Sequence, residues 1–404
     1  MIAAVAVLFA FQLHKGIIPG WEMQSDFPNY YTASKLLVES GPLDSLYDNA
    51  WFNEKIHEIV PGMRGKFAPF PPPTAFLMMP LAYFSPLMAK RIWMVCNLVF
   101  LFVASIQISR IFSFGRTYAL LLLLLCGLGL ANNLYLGQVY LFVLVMVLLG
   151  WRLYAGGREV FGGLILGLAA SVKYFPVIFL LPAFMKRQSK CLAGFAAGFL
   201  LPYCAAYLVM GPKVFADFFE TLVGHLGGRL NGQSPFAWQF QSWNAFFNRL
   251  FIFDAMENPH PLLASRFLFL SAWLIVHALV IGLAAWFIAK ARSHAHAVHL
   301  AVSIAAISLF EILPASASYH YILLLFPVIM LAQLLPAKKS VLLLVLFAAI
   351  GFVPVWLQGV IPEASYFSFF RLALMTALYA SAMVAVRESV KSGRKIDKHI
   401  PAAL

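Results

Sequence analysis

The chain has 404 residues, 62% of them hydrophobic and 11% charged, with a mean hydropathy of +0.83. A soluble globular protein averages about 45–50% apolar and about 25% charged, so the composition excludes a soluble enzyme and indicates an all-α polytopic membrane protein. A net charge of +13 would suit nucleic acid, but in a membrane chain it marks cytoplasmic loops.

The first apolar run, residues 1–19, is read as an anchor helix, because no basic segment precedes it and no small-residue cleavage site follows. A first loop, residues 20–69, carries amphipathic stretches at 28–40 and 49–60, punctuated by Gly41-Pro42 and Pro61-Gly62. Within its "SDFPNYYTAS", Asp26 has two readings. It is a helix N-cap ahead of a proline, or a carboxylate at the membrane–water boundary whose partial desolvation makes it a general base. Residues 70–84, FPPPTAFLMMPLAYF, open on three prolines and hold Pro80, so this stretch is expected to be re-entrant or a half-helix.

Runs at 86–109, 117–131 and 134–150 follow. The string "NNLYLGQVYLF" places Asn132, Asn133, Gly137 and Gln138 where two of them meet, suited to an interhelical hydrogen bond or to a site. Short runs at 159–173 and 174–186 join at "SVKYFP", where Lys173 interrupts an otherwise apolar stretch. A charge at membrane depth either snorkels to the interface or faces a partner, here an anion such as a lipid phosphate. After the run at 190–210 comes a second loop, 211–262, with Gly227-Gly228 and "QFQSWNAFFNRL", which includes Arg249. The remaining runs are 263–289, 297–314, 319–336, 339–359 and 366–387. "EILPASASYHYILLLFP" brings Glu311 and His320 to a span end, and Arg371 adds a cation near the start of the last run.

Placing the N-terminus in the cytoplasm, keeping 70–84 from crossing and letting the other runs cross gives about twelve spans. The positive excess then gathers on the cytoplasmic side, from Arg110 and Arg116 to the basic tail 388–404, and both loops face outward. Making 70–84 cross destroys the asymmetry, so the nucleic-acid reading falls. The four cysteines lie in apolar runs without metal spacing and are expected to be core residues; His294, His296 and His299 are expected to be solvated loop histidines. No P-loop, dinucleotide fingerprint or zinc signature is present.

In order, "DFPNYYTAS", "FAPFPPPTAFLMMPLAYF", "YLGQVYLFVLVMVLL", "GLAASVKYFPVIFLLP", "QSWNAFFNRL" and "SYHYILLLFP" resemble strings of the integral-membrane glycosyltransferases of family 87, in the GT-C class, over about residues 20–335. The chain departs from the family's common forms at Tyr140, at Phe240 and Trp243, and at the tyrosines flanking His320. The resemblance implies a single GT-C-like membrane domain over 1–387, with its active site on the outer face of the cell membrane and both termini cytoplasmic. It implies transfer of a sugar, mannose first, from a polyprenyl-phosphate donor to a glycolipid or lipid-linked acceptor. Asp26 maps to the family's catalytic base, and Lys173 and His320, with Arg249, become candidates for the donor phosphate. Tyr30, Tyr31, Gln138, Gln241, Asn244, Glu311, Tyr319 and Tyr321 would line the substrate groove. No cofactor is expected: no carboxylate cluster suits a divalent ion, so the reaction is expected to be metal-independent. A relative using another lipid-linked sugar, and a lipid or solute transporter built on broken helices around a buried lysine, are the alternatives.

Overall fold

A computed structural model describes residues 1–226, 233–292, 294, 296–357 and 366–392. The described residues are helical apart from turns and one isolated bridge between Asp254 and Asn258. They form two compact units, residues 1–124 with 129–225, and residues 125–128 with the described residues from 226 to 392.

In the first unit, α1 (Ile2–Gly20) is the N-terminal apolar helix, with a π-helical turn at Leu13–Ile17. The amphipathic stretches of the first loop become α2 (Phe27–Val38) and α3 (Asn49–Ile59), the latter capped by the Asp48 side chain, which accepts from the amides of Ala50 and Trp51. The prolines of 70–84 prevent a regular helix, leaving two 3-10 turns, Pro72–Phe76 and Met79–Leu81. Next come α4 (Pro86–Phe112), α5 (Arg116–Leu124) and α6 (Leu128–Leu136), the last two bent by 79°. Gly137, at φ +74°, then turns the chain into α7 (Tyr140–Ala155). α8 (Glu159–Val172) stops at Lys173, which is extended, and α9 (Phe175–Met185) restarts after it.

The boundary expected after residue 210 is a kink: α10 (Ser189–His225) is two helical segments that meet at Gly211 (φ 80°, ψ 172°), and Pro212 starts the second, so the second loop opens with helix rather than coil. Its far part carries Val214, Phe215 and Phe218, which pack with Leu46, Tyr47, Phe52, Ile56 and Phe67 of the first loop into one buried cluster. That loop is therefore a folded cap with its own core. α8 and α10 meet through glycines: a Cβ on Gly163, Gly167, Gly194 or Gly198 would collide with backbone of the opposite helix. Two GxxxG pairs thus serve contact within the chain.

The second unit contains α11 (Trp243–Phe251), α12 (Arg266–Ala291), α13 (Ala297–Ile312), α14 (Ser318–Ala332, opening as a 3-10 turn), α15 (Ala337–Leu357) and α16 (Phe370–Ser392). By length and composition five described helices can cross a membrane, or six if the bent α5–α6 pair is one span. Several runs expected to cross become shorter helices, because glycines and Lys173 break them where hydropathy is unchanged. Two smaller expectations are corrected as well. His299 is buried within α13, and Cys204 is exposed on α10. The tail beyond residue 392 lies outside the described residues.

Candidate active site

Asp26 occupies the N-cap position of α2, but its side chain makes no capping bond. Pro28 removes one of the amides that an N-cap carboxylate takes, and the Asn29 amide donates to the Asp26 backbone carbonyl instead. The carboxylate turns to α6–α7: Gln138 Nε2 donates to Oδ2 at 2.7 Å, while Oδ1 has only a long contact from Ser25 Oγ at 3.5 Å. Tyr30, one turn on in α2, donates to Gln138 Oε1 at 2.6 Å. The amide is thereby oriented from both ends, nitrogen toward the acid and oxygen toward the phenol.

The turn that presents Gln138 is held from α4. Trp93 Nε1 donates to the Gly137 carbonyl at 3.0 Å, and Lys90 Nζ donates to the carbonyls of Leu134 and Tyr135 at 3.2 and 2.9 Å. A lysine on the last carbonyls of a helix is favourable for both charge and hydrogen bonding. A Cβ at Gly137 would lie 2.9 Å from both Lys90 Nζ and Phe27 Cβ, so the close approach requires glycine.

Lys173 is buried, and its ammonium has no hydrogen bond or ion pair to the described residues. It lies 3.8 Å from the Phe70 ring centroid, 5.2 Å from that of Tyr140 and 5.5 Å from that of Tyr30, and the Phe70 and Tyr30 rings stack at 4.7 Å. Aromatic faces stabilise a cation by about 0.5–2 kcal/mol each, and they leave its N–H groups to donate to an anion. The half-buried Asp26 carboxyl is held above the ordinary carboxylate range by loss of solvation. The Gln138 hydrogen bond and the charges of Lys173 and Lys90 pull it back only in part. A carboxylate more basic than usual beside a buried cation can accept a proton while the cation receives a developing negative charge.

The other predicted residues are placed differently. Tyr31 donates to the Phe84 carbonyl at 2.7 Å. His320, Arg249, Glu311, Gln241, Asn244, Tyr319 and Tyr321 belong to the second unit. Gln241 binds backbone at Trp238, Ser368 and Leu372 and so ties α11 to α16. Glu311 Oε1 accepts from Trp243 Nε1 and Thr376 Oγ1, whereas Oε2 is buried without a partner. Arg249 Nε donates to the Phe236 carbonyl at 2.9 Å. His320 Nδ1 accepts from the Ala317 amide at 3.3 Å, which puts its ring proton on Nε2 when neutral. His320 and Tyr319 are half-buried with rings edge to face, and Asn244 is buried in α11.

Sequence reasoning missed Lys90 and Phe70. Lys90 sits in the first turns of a long apolar helix beside the half-exposed Arg91, so both read as interfacial lysine and arginine. The available signal was a lysine one turn before an indole, Lys90 and Trp93, on a helix otherwise almost uncharged.

Long apolar helices, several broken in mid-run, define a polytopic membrane protein, and one of its units holds a desolvated carboxylate together with a buried lysine. Residues 67–316, more than half of the chain, match the profile of glycosyltransferase family 87, and the chain belongs to that family of membrane glycosyltransferases. The match takes in Gln138, Lys173, Arg249 and Glu311; Asp26 and His320 lie outside it. No curated protein and no solved structure matches the chain.

Proposed function

We propose that the protein transfers a hexose, mannose first, from a polyprenyl-phosphate donor to a hydroxyl of a glycolipid or lipid-linked acceptor on the outer face of the membrane, without a metal ion. The observation that carries this reading is the Asp26 carboxylate, oriented by Gln138, released from capping by Pro28 and raised in basicity by burial. Its Oδ1, which Gln138 leaves free, takes the acceptor hydroxyl proton as the hydroxyl oxygen bonds to the anomeric carbon. The bond from the anomeric carbon to the phosphate oxygen breaks at the same time, and the polyprenyl phosphate departs with the electron pair. Lys173 stabilises that charge, worth roughly 2–4 kcal/mol for a well-placed donor. One displacement inverts the centre, so a β-linked donor gives an α-linked product. The charge asymmetry of the loops supports the outer-face assignment.

The test is transfer of radiolabelled mannose from polyprenyl-phosphate-mannose to extracted membrane glycolipids, by wild type and Asp26→Asn, each with EDTA. Product from wild type alone, undiminished by EDTA, is expected. Near-full activity of folded Asp26→Asn removes the base assignment, and loss of wild-type activity in EDTA removes metal independence. A wild type inactive with mannose but active with another polyprenyl-linked sugar moves the donor and keeps the mechanism.

A further inference from the structure

The second unit contains a charge that nothing in the proposed reaction uses. Arg371 is the second residue of α16, 8% exposed. Its Nε and Nη1 are buried without partners, and the guanidinium makes no hydrogen bond or ion pair to any described residue. The guanidinium carbon lies 6.0 Å from the centroid of the Tyr321 ring. The buried carboxylate of the same unit, Glu311, is engaged by Trp243 and Thr376 and forms no ion pair with it.

An unpaired buried charge costs several kcal/mol, and a guanidinium does not relieve that cost by losing its proton. Its position compounds the problem. The start of a helix carries partial positive charge, and the first turn of α16 has no acidic residue. Tyr321 is also buried; its hydroxyl accepts from Ser316 Oγ at 3.2 Å, which leaves its own proton to donate. Among the described residues, cation, helix start and phenol therefore present donors and no acceptor, on a protein whose surroundings are phospholipid.

We propose that Arg371, with Tyr321, binds a phosphate anion in the second unit, a phosphate-ester headgroup or free phosphate. The guanidinium fork fits two phosphate oxygens at once, and the ring face covers its other side.

The experiment is thermal unfolding of the purified full chain in detergent, titrated in turn with polyprenyl monophosphate, phosphatidylglycerol and inorganic phosphate, with uncharged polyprenol as control. Wild type should gain a saturable rise in Tm with at least one phosphate and none with polyprenol. Arg371→Met should bind roughly tenfold or more weakly, and its Tm without ligand should not fall. A response to inorganic phosphate assigns the site to free phosphate; a response to the lipids alone assigns it to a headgroup. No response of wild type to any phosphate, or an undiminished response of Arg371→Met, overturns the proposal. So does loss of the response in Lys173→Met with retention in Arg371→Met. Should Arg371→Met misfold, protection of wild-type Arg371 from phenylglyoxal by the same phosphates, read by mass spectrometry, replaces it, and absence of protection overturns the inference. Asp26→Asn should keep the full rise, so failure of the transfer reading and failure of this one are read separately.

Discussion

Asp26 shows how one neighbour changes what a side chain can do. An aspartate ahead of a helix ordinarily accepts the first free amides, but Pro28 withdraws one and the carboxylate finds Gln138 instead. Burial raises its pKa, while Gln138 and Lys173 lower it. Gln138→Leu should therefore raise it further, moving the acid limb of the kcat/KM–pH profile to higher pH and leaving donor KM little changed. Lys173→Met should move the same limb the same way and also raise donor KM. Stability follows the opposite sense to an ordinary ion-paired aspartate. The folded state binds the Asp26 proton more tightly than the unfolded chain, so this group's contribution is present below the unfolded pKa and lost as pH rises toward the folded one. Asp26→Asn should then raise Tm at neutral pH while abolishing transfer, measured by thermal unfolding beside the transfer assay. Asp26, Gln138 and Lys173 were legible from the sequence because each is a polar residue out of place. Lys90 was not, since a lysine near a span end is ordinarily interfacial, and nothing local shows that the carbonyls of Leu134 and Tyr135 come round to meet it.

At the scale of elements, breaks matter more than helices. Gly137 lets α6 turn tightly enough for Trp93 and Lys90 to hold the turn. Gly137→Ala should cost about 1–3 kcal/mol from strain and contact, seen as a lower Tm, and should lower kcat by tilting Gln138. The α8–α10 seam is a second such place. Gly167→Leu should lower Tm and leave the oligomeric state unchanged in detergent sizing, because the glycines are used within the chain. The sequence holds both GxxxG pairs without showing what they pack against, and the fold places both inside one unit. It was less informative about span number. A run of apolar residues states how much backbone avoids water, not where it bends, and α7, with 16 residues, rises only about 24 Å, short of the roughly 30 Å hydrocarbon core.

For the whole molecule, the distribution of charge makes the sidedness testable. On a cysteine-free background, a cysteine at the exposed Ser40 should react with a membrane-impermeant maleimide added outside intact cells. One at the exposed Ser189 should react only after the inner face is opened. Labelling of both from outside would contradict the charge-based orientation. The basic loops were readable as composition; the first loop's core was not, because about a third of its buried residues come from beyond residue 205.

That last separation has a consequence for biosynthesis. The aromatic core of the cap joins Tyr47, Phe52 and Phe67 to Val214, Phe215 and Phe218, so its later half emerges about 150 residues after the earlier one. At roughly 5–20 residues per second, the gap is on the order of ten to thirty seconds. Through that interval the first loop lies on the membrane with bare apolar side chains, and the carboxylate at its entrance is set down long before Lys173 reaches it. Nascent chains arrested before residue 200 should therefore leave the loop open to protease, and chains arrested once α10 has cleared the translocation machinery should not.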